Sequence, residues 1–319
     1  MHLPELVNWA QQQSASDIHL LADNPTWLRC AGELQVYPSV CYSALALTNL
    51  LGSLLNPSQQ MQLSTLHHID LGLQVANDTR LRINIFQRLQ GLGAVIRIIP
   101  NNSPMLSELP APKVFYELTQ EEHGLLLVTG ATGSGKTTTL AAIVEHINQH
   151  SAKHIITLED PIEFMHASQQ SLITQRELLT HFSSYPQALR SALRQDPDVI
   201  LIGELRDIET MQLALTAAET GHLVLATLHT ATAASSINRF IDVFPAEQQN
   251  RVRSLLAESL VAVISQRLEK NAQGKRYAKY EILRATPAVR QLIRDQNLSQ
   301  LITAMQTGAA VGMQTFEQA

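Results

Sequence analysis

The sequence predicts an α/β protein of two domains, a small N-terminal α+β domain followed by a larger domain with a parallel sheet and a helical C-terminal portion. Three observations favour this fold class. The chain has 319 residues, a length typical of about two domains. In its second part, continuous apolar runs alternate with helical patterns, as in a parallel sheet covered on both faces. Four prolines between positions 100 and 112 separate the two parts.

Short periodic segments fill residues 1–99. Helical spacing predicts helices at 3–13 and 45–55. Alternating or short apolar runs predict strands at 17–20, 27–29, 69–73, 81–85 and 94–99. We therefore expect an N-terminal domain over residues 1–99, a linker over 100–112 and a second domain over 113–319.

The second domain opens with a strand at 125–129 and a helix at 138–150. Further apolar runs predict strands at 155–158, 199–202 and 223–227. Between Gln248 and Leu268 the apolar residues fall on one helical stripe, formed by Val252, Leu255, Leu256, Leu260, Val263 and Ile264. This stripe predicts an all-helical C-terminal portion.

Composition excludes several classes of protein. The net charge of -5 and the pI near 6.2 provide no overall basic field, so we expect no direct nucleic-acid binding. Cys30 and Cys41 are too few for a disulfide framework and lack zinc-site spacing. No secretion signal or membrane-spanning run is present, which predicts a cytoplasmic location, with any membrane role exerted through partners.

A phosphate-binding loop follows the strand at 125–129. Its glycines free the backbone to curl around a phosphate, Lys136 can reach the β- and γ-phosphates, and the Thr137 hydroxyl can ligate magnesium. The strand before it and the helix after it are the context that the motif requires. We therefore predict ATP and Mg²⁺ as ligands. The nucleotide-binding residues are Gly130, Ala131, Thr132, Gly133, Ser134, Gly135, Lys136, Thr137 and Thr138.

Acidic residues and histidines follow other strands of this domain. Glu204 comes after the strand at 199–202, where it would hold the magnesium shell or orient the attacking water. Glu163 or Glu159, after the strand at 155–158, is a candidate general base. His229 comes directly after the run 223–228 and could sense the γ-phosphate, whereas His222 before that run is as well explained by a structural role.

Four segments in order resemble the Walker A, Asp box, Walker B and His box of type II/IV secretion and pilus motor ATPases: GATGSGKTTTL, TLEDPIEF, DPDVILIGELRD and ETGHLVLATLHT. SASDIHL and RLRINIFQRLQGLGAVIRIIP resemble segments of that family's N-terminal domain. The resemblance implies a PAS-like N-terminal domain and a RecA-like ATPase domain. PAVRQLIRDQ is similar to a helix typical of the pilus retraction branch, and the four-cysteine element of assembly-type relatives is missing.

The resemblance also implies a homo-hexamer that works with an inner-membrane platform protein. In such a ring the positive charges of Arg97 and Arg82 would stabilise the negative charge that develops on the phosphate during hydrolysis. The chain departs from the family pattern at Gln90, where relatives commonly carry arginine, and at its short end after Gly312. The alternatives are an assembly or secretion ATPase, a regulatory ring subunit with little hydrolysis, and a nucleic-acid translocase.

Overall fold

The computed structural model describes residues 2–75, 79–99, 103–270 and 276–319. Two compact units divide the chain. The N-terminal unit comprises Met1–Asn102 together with Pro161–Met165, and the C-terminal unit comprises Ser103–Asp160 and His166–Ala319. The first three residues of the predicted linker, 100–102, lie outside the described residues.

Antiparallel strands form the sheet of the N-terminal unit. Its helices are α1 (Leu3–Gln12), α2 (Ala44–Gly52) and α3 (Pro57–Leu66). Its strands are β1 (Ala15–Leu21), β2 (Pro25–Cys30), β3 (Glu33–Cys41), β4 (His68–Gln74), β5 (Arg80–Arg88) and β6 (Gly91–Ile99). They pair in the order β3-β2-β1-β6-β5-β4, which confirms the predicted sheet with flanking helices.

Two elements of this unit were absent from the sequence prediction. Strand β3 lies at the edge of the sheet and none of its side chains is buried, so it lacks the alternation by which a half-buried strand is recognised. Helix α3 buries only Leu63 and therefore has no apolar stripe. Its start is nevertheless well defined, because the Asn56 side chain accepts from the Gln59 amide and Pro57 occupies the first turn.

The C-terminal unit alternates strands with helices. Its strands are β7 (Gly124–Thr129), β8 (His154–Glu159), β9 (Leu172–Glu177), β10 (Val199–Ile202), β11 (Leu223–Leu228), β12 (Leu260–Lys270) and β13 (Arg276–Arg284). Its helices are α4 (Val114–Leu118), α5 (Lys136–His150), α6 (Tyr185–Ala192), α7 (Ile208–Glu219), α8 (Ala233–Asp242), α9 (Ala246–Ser259), α10 (Pro287–Arg294) and α11 (Leu301–Thr307).

The strands of this unit form one sheet in the order β13-β12-β7-β11-β10-β8-β9, parallel except for the antiparallel β12–β13 pair. Both faces of the sheet are covered. On β7, Leu125 and Leu127 belong to one buried cluster, whereas Leu126 and Val128 belong to another. A strand buried on both faces explains the continuous apolar run in the sequence.

The prediction of one helix from Gln248 to Leu268 was wrong. Helix α9 ends at Ser259, and the residues after it form β12, which pairs in parallel with β7 and antiparallel with β13. Val263 and Ile264 thus lie on a strand, so the C-terminal portion contains helices but is not all-helical. The run from Leu260 to Ile264 is rich in β-branched residues, and pairing with the central strand decides its conformation.

Buried Glu281 on β13 holds the start of α8. Its side chain is almost fully buried and accepts a hydrogen bond from the Ala233 amide at 2.7 Å. Burial raises the pKa of this carboxyl group, although the Ala233 hydrogen bond opposes the rise. A folded-state pKa above the unfolded value of about 4.3 means that the stabilising contribution is complete below that value and is lost as pH rises through the folded pKa.

Replacing Glu281 with glutamine should therefore stabilise the protein at neutral pH. Glu281→Gln keeps an acceptor oxygen for the Ala233 amide but carries no buried charge. In thermal unfolding followed by circular dichroism, we expect a higher Tm than wild type at about pH 7.5 and a smaller difference at about pH 5. A gain of equal size at both pH values would contradict this explanation.

Candidate active site

The phosphate loop, residues 130–138, joins the carboxyl end of β7 to the first turn of α5. Gly130, Gly133 and Gly135 have φ angles of 150°, 77° and 92°. Gly135 is the N-cap of α5, so Lys136 and Thr137 lie in the helix's first turn. This places the two side chains at the positive end of the helix, where phosphate is favoured.

Two of the loop glycines face a close neighbour on β12. A Cβ atom at Gly130 would collide with the carbonyl oxygen of Gln266, and one at Gly135 would lie 2.7 Å from the Gln266 side-chain nitrogen. A Cβ at Gly133 would meet nothing within 4 Å. Gly130 is thus required by space as well as by backbone angle, whereas at Gly135 the close neighbour is the end of a side chain.

The close approach of the Gln266 carbonyl oxygen to Gly130 predicts that one added methyl group there has a large effect on stability. Gly130→Ala should lower the free energy of unfolding by about 3 kcal/mol or more, because strain at positive φ adds to a backbone collision. Gly221→Ala is the matched control, since Gly221 also has positive φ (103°) but open space around it. We expect a loss of about 1 kcal/mol there. Urea unfolding measures both, and equal losses would contradict the collision.

Lys136 is buried at the mouth of the loop. Its Nζ donates to the carbonyl oxygens of Gly130 (2.8 Å) and Ala131 (3.1 Å) and lies 3.4 Å from His229 Nδ1. The Ser134 hydroxyl is buried and has no hydrogen-bond partner among the described residues. A buried ammonium group and an unpartnered hydroxyl in a loop of positive-φ glycines fit a phosphate group.

Glu204 and His229 meet at the same edge of the sheet. They follow β10 and β11, which are adjacent parallel strands, so the two strand ends lie side by side. His229 Nε2 is 3.0 Å from Glu204 Oε1. Because a lysine ammonium group only donates, His229 Nδ1 must accept and Nε2 must carry the proton that is donated to Glu204. The structure thus brings together Lys136, His229 and Glu204.

Arg206 completes this group and was missed by sequence reasoning. Its Nε donates to Glu204 Oε2 at 2.6 Å, and its Nη1 lies 3.7 Å from Asp160 Oδ2. The hydrogen bond to Glu204 raises the pKa of Arg206. The signal in the sequence was its position two residues after Glu204. Both oxygens of the Glu204 carboxylate are therefore engaged, one by a histidine and one by an arginine.

Glu159 and His222 occupy other places. Glu159 Oε1 accepts from Thr157 Oγ1 within β8 (2.6 Å) and from Gln175 Nε2 (3.2 Å), and the second contact joins β8 to β9. His222 precedes β11, at the end opposite His229, and its Nδ1 lies 2.9 Å from the Ala217 carbonyl oxygen. A backbone hydrogen bond at that end of the strand fits a structural role for His222.

Arg82, Arg97 and Glu163 belong to the N-terminal unit. Arg82 and Arg97 face each other on β5 and β6, and Arg97 faces Asp17 on β1. Arg97 Nε lies 2.8 Å from Asp17 Oδ1, and Arg82 Nη1 lies 3.0 Å from Glu163 Oε1. Two like charges directly opposite one another destabilise a sheet. Each arginine here is neutralised by a carboxylate, and in the same unit Arg88 donates to Gln90.

The described residues contain no membrane-spanning helix and no preformed metal cluster. In that part of the chain, every helix is too short or too polar to cross a bilayer. No group of three or more histidine, cysteine, aspartate or glutamate side chains is arranged there to hold a metal ion. A magnesium ion at the phosphate loop needs no such group, because it takes a hydroxyl, waters and substrate oxygens.

Known proteins resemble this chain over most of its length. The type IV pilus retraction ATPase PilT of Pseudomonas aeruginosa is 45% identical over 317 residues, which are 99% of this chain and 92% of that protein. A twitching motility protein of Neisseria gonorrhoeae is 51% identical over 277 residues, 86% of this chain and 74% of that protein.

A solved structure extends the likeness to the fold. The crystal structure of the pilus retraction motor PilT with bound ADP superposes with a TM-score of 0.92 at 39% identity, covering 100% of this chain and 91% of that one. The family description "Type II/IV secretion system protein" matches residues 4–292. The chain belongs to the type II/IV secretion system protein family.

Proposed function

We propose that this chain hydrolyses ATP as the motor subunit of a type IV pilus or a related secretion system, and that it is of the retraction type. The observation that carries the proposal is the contact series from Lys136 through His229 to Glu204 beside the phosphate loop. The likeness to PilT over nearly the whole chain supports the retraction type.

Nucleotide and magnesium have identifiable holders in this chain. Residues 130–138 would bind the phosphates, with Lys136 neutralising their charge, and Thr137 and Glu204 would hold the magnesium shell. When bound, Mg²⁺ supplies positive charge that draws electron density from the phosphoryl group. Each Glu204 oxygen has a second lone pair beside the one that Arg206 or His229 uses, so the carboxylate can also accept from water.

The protein's own groups prepare this site before any reaction. Arg206 and His229 fix both oxygens of the Glu204 carboxylate, so it is oriented without further rearrangement. His229 Nδ1 in turn lies 3.4 Å from Lys136 Nζ, so a phosphate that binds the ammonium group would also change the surroundings of His229. We assign His229 the role of sensing the γ-phosphate through this contact.

The proposal extends to a homo-hexamer in the cytoplasm that docks on an inner-membrane platform protein. Within it, Arg97 and Arg82 would stabilise the developing phosphate charge, and Glu163 would be a second candidate base. Arg82 and Glu163 are both partly exposed, so exchanging the Glu163 carboxylate for a phosphate oxygen costs little. The Asp17 carboxylate beside Arg97 is buried, so the same exchange at Arg97 costs more.

Deletion of the gene in its host tests the direction of the motor. Excess pili that do not retract, with loss of twitching, are expected. Loss of pili would instead indicate an assembly ATPase, the second candidate.

Phosphate release by the purified protein tests the enzyme itself, since an oligomer that binds ADP without turnover would be a regulatory ring subunit. We expect added DNA to leave the rate unchanged, as the acidic charge balance argues against direct binding.

A further inference from the structure

Strand β12 runs beside the phosphate loop. It pairs in parallel with β7, and Ser265 lies opposite Thr129, the last residue of β7. The next residue, Gln266, therefore passes the end of β7 and lies level with the loop. Its carbonyl oxygen occupies the place that a side chain at Gly130 would fill. The backbone of β12 therefore packs directly against the first residue of the loop, Gly130.

The Gln266 side chain reaches two further points of the loop and its helix. Its Nε2 donates to the Ser134 carbonyl oxygen at 2.7 Å, and its Oε1 accepts from Thr139 Oγ1 at 2.8 Å. Since a carbonyl oxygen only accepts, the amide nitrogen must face Ser134, and Thr139 must then be the donor. The same nitrogen lies 2.7 Å from where a Cβ at Gly135 would be.

These contacts are shielded from water. Gln266 is 3% exposed and Thr139 is 1% exposed. A buried amide with both ends satisfied has one favourable orientation, and a lost partner leaves a polar group that water cannot reach. The side chain therefore holds the Ser134 carbonyl group of the loop in one position.

We propose that Gln266 is a positioning residue that holds the phosphate loop in its phosphate-binding conformation. It acts through Ser134, Gly135 and Thr139 and does not itself contact nucleotide. The inference rests on the proposed ATPase function and adds to it a residue of β12, 132 positions after Ser134 in the chain. Because Lys136 and Glu204 keep their own contacts when Gln266 is changed, affinity should suffer more than the catalytic step.

The decisive variant is Gln266→Met, which keeps the length of the side chain and removes both hydrogen bonds. We expect about tenfold weaker binding of N-methylanthraniloyl-ADP and a similar rise in KM for ATP, with kcat within about twofold. Gln266→Glu keeps the acceptor for Thr139 but sets a carboxylate against the Ser134 carbonyl, so affinity should fall further. Gln314→Met is the matched control, since Gln314 also donates to a carbonyl, that of Tyr280, on β13.

The outcomes separate this inference from the proposed function. A wild-type protein that fails to bind ADP would overturn both. Normal binding by wild type with an unchanged KM in Gln266→Met, or with an equal rise in Gln314→Met, would overturn the positioning role alone. Should Gln266→Met lack a cooperative thermal transition, Thr139→Val decides, because it removes only the donor to Oε1. A KM raised about threefold is expected for it, and an unchanged KM contradicts the proposal.

Discussion

Lys136→Ala should abolish ATP hydrolysis and weaken ADP binding by at least about 100-fold. Lys136 is 8% exposed, and the carbonyl oxygens of Gly130 and Ala131 hold its ammonium group at the loop mouth. A phosphate oxygen offers it a charged acceptor in place of two neutral ones, and such hydrogen bonds are about twice as strong. Removing the ammonium group removes that gain and leaves the phosphate charge uncompensated.

Fluorescence titration with N-methylanthraniloyl-ADP and a phosphate-release assay measure the two effects. Lys113→Ala is the control, since this exposed residue immediately precedes α4 and lies outside the phosphate loop in the sequence. We expect it to stay within about twofold of wild type. Binding by Lys136→Ala at wild-type affinity would show that the loop does not hold the phosphates in the way proposed.

Glu204→Gln should preserve nucleotide binding and lower turnover by roughly 100- to 1,000-fold. Glutamine keeps the shape of the side chain and an acceptor oxygen for the proton on His229 Nε2. It removes the charge that Arg206 neutralises and the basicity that an attacking water needs. The effect should therefore appear in kcat, with ADP affinity changed by no more than about threefold.

Steady-state kinetics and ADP titration on the same preparation check this separation. Glu209→Gln is the matched control, because Glu209 pairs with Arg190 on the exposed surface of α7 and its loss should leave kcat unchanged. Equal turnover by wild type and Glu204→Gln would remove Glu204 from the reaction and leave Glu163 as the remaining candidate base.

The central strands of the C-terminal sheet could be predicted because burial on both faces requires apolar residues at nearly every position. Strands β7, β8, β10 and β11 are continuous apolar runs. Edge strands β3 and β9 form no such runs, since few of their side chains are buried. The segment after Ser259 fits a helical stripe and a strand equally well locally, and its pairing with β7, more than a hundred residues earlier, decides between them.

Three residues of the candidate site could also be predicted from the sequence. Lys136, Glu204 and His229 come after strands whose carboxyl ends meet at one edge, and the structure brings them together. Arg206 and Gln266 were missed because their contacts depend on side-chain direction and on the course of β12. The roles of Arg82, Arg97 and Glu163 stay predictions, since the structure describes them as ion pairs within the N-terminal unit.

The N-terminal unit is assembled from two separate stretches of the gene, because Pro161–Met165 belongs to it although it lies between β8 and β9. A fragment that ends at residue 102 would omit this stretch, and with it the Glu163 carboxylate that neutralises Arg82. Such a unit is not a module that evolution or an engineer can exchange at one crossover. A chimera between two relatives must carry both stretches from the same parent. Otherwise the two stretches of the N-terminal unit would come from different proteins and their contacting side chains would not match.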